Sequence, residues 1–116
     1  RVATLMRPKL FAEGTPDAVV EKTVAEISAA DPAAIAAAQR AMAARPDSTD
    51  RLPLIEKPTL VVVGEHDAIS TAEEMRGVAE AIPGADYSLI EGAGHMAPAE
   101  RPDAVNSALA AFVRSL

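Results

Sequence analysis

The run Pro58-Thr-Leu-Val-Val-Val-Gly64 is short, apolar and rich in β-branched residues, and no other stretch restricts the fold as strongly. A strand with one wet face alternates apolar and polar residues, whereas an unbroken apolar run suits a strand buried on both faces of a parallel sheet. Such a strand needs helices above and below it. The sequence supplies one at once, because Thr71-Ala-Glu-Glu74 fits a capping box, in which hydroxyl and carboxylate satisfy backbone donors at a helix start. Met75, Val78 and Ile82 then fall on one helical face, and Pro83-Gly84 stops the helix. Tyr87-Ser-Leu-Ile90 is the next extended run, before the glycine-rich turn Gly92-Ala-Gly-His95. This order predicts a βαβ unit, whose right-handed crossover returns the second strand parallel to the first. Asp67, in Gly64-Glu-His-Asp67, and His95 are then expected just beyond the carboxyl ends of two parallel strands, where open α/β sheets carry their sites.

A carboxylate beside an imidazole fixes the tautomer and orientation of a histidine that moves protons. Either residue alone has a plainer use, since Asp is common in turns; the pairing points to chemistry. His66 and His95 are the only histidines, and a metal site on His66, Asp67 and His95 is the weaker alternative. Neighbouring side chains on a turn diverge, and no cysteine or third histidine is present to close such a site. Neither a G-x-G-x-x-G turn nor a P-loop occurs, which disfavours nucleotides. The expectation is no metal and no cofactor.

Strand-Gly-Glu-His-Asp, helix, strand and Gly-Ala-Gly-His together resemble the C-terminal half of an α/β-hydrolase, a family whose chain order is nucleophile, acid, histidine. The resemblance implies the C-terminal portion of an α/β-hydrolase fold, with two parallel strands, flanking helices and a preceding helical cap segment. By it Asp67 is the triad acid and His95 the base. The sequence departs from the family in having no G-x-S-x-G, and none of Ser28, Ser48, Ser70, Ser88, Ser107 or Ser115 has the flanking glycines of a nucleophile elbow. Ala41-Met-Ala-Ala-Arg45-Pro-Asp47, followed by Leu52-Pro-Leu-Ile55, is similar to the cap-to-core junction of hydrolases like 3-oxoadipate enol-lactonase. This implies a helical cap or lid over residues 1–50 and the C-terminal βαβα part of the hydrolase core over residues 51–116.

Within the first part, Arg1 to Gly14 is apolar but non-periodic around Pro8, and is expected to be a connector, with pocket lining as the alternative. Thr15-Pro16 supplies an N-cap and a proline at the first helical position, for a helix with Val20, Val24 and Ile27 on one face. Asp31-Pro32 repeats the device for a second helix, Ala33 to Ala44, bearing Ile35 and Met42. Ordinary sheet-covering helices are the alternative to a cap. Arg45 has two readings: a planar fork clamping a substrate carboxylate, or, as favoured, a tie to Asp47 or Asp50. Met96, beside His95, is a candidate substrate contact, although methionines more often pack. Glu100 is expected to be a turn or helix-start carboxylate; the resemblance implies that a glutamate is usual before the Arg101-Pro102 step. A terminal helix from Pro102 to Leu116 is expected to bury Val105, Leu109, Phe112 and Val113 as one stripe.

At 116 residues beginning with Arg1, and with only two strands in view, a fragment or processed half of a hydrolase is expected, since a two-stranded sheet is marginal alone. Its partner would be the N-terminal half of the same hydrolase, or a second copy covering the open strand edge. The net charge of −6 and the scattered basic residues argue against nucleic acid. No apolar run approaches the roughly 20 residues of a membrane span, so no membrane partner is expected. The lack of cysteine fits the cytoplasm. The expected activity is hydrolysis of a small ester or lactone with an upstream nucleophile, serine or, as in dehalogenase and epoxide hydrolase relatives, aspartate. The alternative, prompted by the missing nucleophile, is a non-catalytic binding or interaction module derived from a hydrolase.

Overall fold

The computed structural model describes residues 2–116; Arg1 lies outside them. In chain order the elements are α1 (Val2–Leu10), α2 (Asp17–Ala29), α3 (Pro32–Ala43), a 3₁₀ turn (Thr49–Leu54), β1 (Leu60–Gly64), α4 (Ala72–Ala81), β2 (Asp86–Ile90), α5 (Ala97–Glu100) and α6 (Pro102–Ser115). The βαβ unit forms as predicted. β1 and β2 pair in parallel, Leu60 beside Asp86 and Gly64 beside Ile90. β1 begins at Leu60, two residues into the apolar run, and the Thr59 carbonyl just before it already accepts the Asp86 amide at 2.9 Å.

Side chains alternate across a strand, and the contacts show which helix takes which face. Val62 and Ile90 pack with Ala93, Ala97 and Val105, which puts α5 and α6 on that side. On the other, α4 covers Val61 and Tyr87: the Tyr87 hydroxyl donates to the Ala72 carbonyl at 3.0 Å and the Arg76 guanidinium stacks 4.4 Å from the ring centre. Val61 and Val63 are buried, each worth about 1.5–3 kcal/mol of transfer free energy. The expected capping box is present in full, with the Glu74 amide donating to the Thr71 hydroxyl and the Thr71 amide to the Glu74 carboxylate. Helix α3 has its expected cap too, Asp31 accepting from the Ala33 amide at 2.8 Å.

Three local expectations are corrected. The non-periodic N-terminal stretch is helical as α1 despite Pro8; packing against α2 and burial of Leu10 outweigh the hydrogen bond that proline removes. Thr15 does not cap α2, since Pro16 stands at that position and makes no side-chain cap. The Thr15 hydroxyl is instead engaged by a more distant carboxylate, described below. Finally, of the stripe expected on α6 only Val105 is buried, whereas Leu109 and Val113 are 45% and 65% exposed. The sheet beneath is two strands wide among the described residues, so α6 overhangs it. None of the helices described is long and apolar enough to cross a membrane.

Candidate active site

The loops after β1 and β2 are closed onto each other by main-chain bonds. Glu65 N–H donates to the Ile90 carbonyl at 3.0 Å, and His66 N–H to the Ala93 carbonyl at 2.8 Å. The Glu65 carboxylate reaches back to accept the Gly92 amide at 2.9 Å. Gly92 occupies the left-handed region at φ +63°, the conformation that turns the chain after β2. Gly64 lacks a side chain for a steric reason: a Cβ there would collide with the carbonyl oxygens of Ala93 and Gly94. This closeness is what brings the two loop ends into register.

As a result Asp67 and His95 meet. The His95 Nδ1 lies 3.1 Å from Asp67 Oδ1 and 3.0 Å from Oδ2. Oδ1 also accepts the Ile69 and Ser70 amides, at 2.8 and 2.9 Å. Burial, with the side chain only 7% exposed, pushes the Asp67 pKa up; the Ser70 and Ile69 amides and the His95 ring outweigh it and hold the carboxyl below its ordinary range. An ionised carboxylate only accepts, so Nδ1 is the donor, and in the neutral ring Nε2 then keeps its lone pair. The His95 side chain is 35% exposed, which leaves it open to solvent. A positioned imidazole held in this way can take a proton from a nucleophile and return it to a leaving group.

Beside the pair is a cavity of about 420 Å³ with apolar walls that include Val62, Met75, Val105 and Leu109. A larger one of about 700 Å³, around Arg7, Phe11 and Asp17, contains neither Asp67 nor His95. Other candidates lie elsewhere. His66 is exposed and turns to Glu65, its Nε2 3.6 Å from the carboxylate. Arg45 borders a separate concavity with Asp47, Leu52 and Val78. The favoured tie to Asp47 or Asp50 is not made: Asp47 accepts the Thr49 amide and hydroxyl, and among the described residues Arg45 forms no ion pair. Met96 is absent from the walls of the cavity at Asp67 and His95; its amide donates to the Leu10 carbonyl at 3.0 Å.

The residue that sequence reasoning undervalued is Glu100. It is 5% exposed, and its carboxylate accepts the Gly94 amide at 2.9 Å and the Ala12 amide at 2.8 Å. The Thr15 hydroxyl stands 2.6 Å from the same carboxylate and 2.8 Å from the Ala12 carbonyl. The available signal was a lone acid in the otherwise apolar stretch Met96-Ala-Pro-Ala-Glu100.

The model of the alpha/beta hydrolase family matches residues 1–108. The chain belongs to the alpha/beta hydrolase family. Among solved structures, a thermophilic esterase from Thermogutta terrifontis, with malate bound, is similar at a TM-score of 0.96 and 44% identity, over 98% of this chain and 43% of that one. Est816, an N-acyl homoserine lactone degrading enzyme, matches at a TM-score of 0.79 and 28% identity, over 96% and 46% of the respective chains. BpoC of Mycobacterium tuberculosis is 39% identical over 71 residues, which are 59% of this chain and 27% of BpoC. This hydrolase chain therefore spans less than half the length of these relatives.

Proposed function

We propose that residues 1–116 supply the acid and the histidine of a hydrolase site acting on a small ester or lactone, with the nucleophile on a part of the protein outside these residues. The observation that carries the reading is the 3.0 Å contact of His95 Nδ1 with the Asp67 carboxylate, whose pKa is held low; it supports Nε2 as the base. Esterase and lactone-degrading neighbours support the carbonyl substrate.

In this reading a serine hydroxyl attacks the carbonyl carbon while His95 Nε2 takes its proton. Asp67 stabilises the imidazolium, and collapse of the tetrahedral intermediate breaks the acyl–oxygen bond as His95 protonates the departing alkoxide. Water then repeats the sequence and frees the acid. Residues 1–50 act as the cap, joined to the site through Leu10–Thr15. By themselves, residues 1–116 turn over no ester.

A serine-directed phosphonate probe tests the assignment. In the complete hydrolase the modified peptide is expected to lie outside residues 1–116. Modification of Ser28, Ser48, Ser70, Ser88, Ser107 or Ser115 at one equivalent would overturn it.

A further inference from the structure

The geometry points to Glu100 as a positioning residue for His95, acting through the backbone on both sides of the histidine; this rests on the functional reading above. His95 has Gly94 before it and Met96 after it, and both neighbours are held by their amides. Gly94 N–H donates to Glu100 Oε1, and Met96 N–H to the Leu10 carbonyl. Leu10 belongs to the same short stretch as Ala12 and Thr15, which Glu100 grips with its other oxygen. One buried carboxylate therefore fastens the stretch between α1 and α2 to the turn bearing the imidazole.

The packing leaves no slack in this clasp. A Cβ on Gly94 would lie 2.6 Å from the Ala12 nitrogen, 2.8 Å from the Phe11 carbonyl carbon and 3.1 Å from Glu100 Oε1. Nothing basic pairs with Glu100 in an ion pair among the described residues. Its two oxygens are instead met by the Gly94 and Ala12 amides and the Thr15 hydroxyl, three donors converging on one acceptor group. Glu100 touches no reacting atom. It sets where the ring of His95 stands relative to Asp67, and it links that placement to the N-terminal helices.

Glu100→Gln is close in shape but puts an NH₂ against one of these donors, whichever way the amide is turned. In the complete hydrolase it should lower kcat by about 10- to 100-fold with KM nearly unchanged, as small misplacements of a reacting group do. Glu100→Asp should recover part of that loss. Thr15→Val, which removes one donor and leaves the carboxylate, should act in the same direction by less. The ring N–H proton resonance of His95, sharp and downfield when bonded to Asp67, should broaden or move upfield in the Gln variant. His95→Ala is the control for the underlying reading, and its kcat should collapse. If it collapses while Glu100→Gln leaves both kcat and the ring resonance unchanged, Glu100 is not a positioning residue, although the acid–histidine reading stands. If His95→Ala is itself near normal, the functional reading falls first.

Discussion

The junction bearing Asp67 and His95 and the helix α3 are held in opposite ways. The junction is closed by main-chain bonds from Glu65 to Ile90 and from His66 to Ala93, with glycines at 64 and 94 where no Cβ fits. Helix α3 has no buried residue, and Ile35 is its one partly covered side chain. It is shaped by its alanines and by the Asp31 cap, local features that favour a helix but are marginal alone at its 12 residues. Where backbones touch, geometry is fixed and side-chain change is poorly tolerated; where propensity alone operates, almost any good helix former will serve.

Glycine substitutions should separate the two regimes most widely. Gly94→Ala drives a Cβ against backbone on one side and the Glu100 carboxylate on the other, and should destabilise by about 2–4 kcal/mol in urea denaturation. Gly77→Ala, in α4 with open space around it, should stabilise by about 0.5–1 kcal/mol. Equal effects from the two would mean the junction is not close-packed. On α3, Asp31→Ala should cost about 1 kcal/mol, and Met42→Ala, at a position 59% exposed, should stay within about 0.5 kcal/mol.

Acid provides a subtler contrast. Asp67 is held below its ordinary range when folded, so its stabilisation is fully present above the unfolded value and is lost as the pH falls through the folded one. Asp67→Asn should remove that part of the acid dependence. A denaturation midpoint in the variant that tracks pH as steeply as in the parent would show that other carboxylates carry it.

What was legible in the sequence follows the same division. The β1 run, the Thr71–Glu74 box and the Asp31 cap are local patterns with local causes, and they appear where expected. The meeting of Asp67 and His95 was readable because consecutive parallel strands bring their carboxyl ends together whatever lies between. A lone acid in an apolar stretch marks Glu100, but what it holds was not readable, since Ala12 and Thr15 lie 88 and 85 residues away and no spacing rule connects them. Helix α1 was missed because Pro8 argued against it and only its packing on α2 argues for it. Leu109 and Val113 share a helical face with Val105 but are not buried as expected, because a two-stranded sheet covers too little of α6.

The central claim is that Asp67 orients His95 and that His66 is only its neighbour in sequence. Burst and steady-state kinetics of Asp67→Asn and His66→Ala in the complete hydrolase, on one ester, test it directly. The amide offers His95 a donor in place of an acceptor, so Asp67→Asn should lose at least about 10²-fold in kcat through the wrong tautomer, and His66→Ala should remain near the parent. A crippled His66→Ala beside a nearly normal Asp67→Asn would contradict the account.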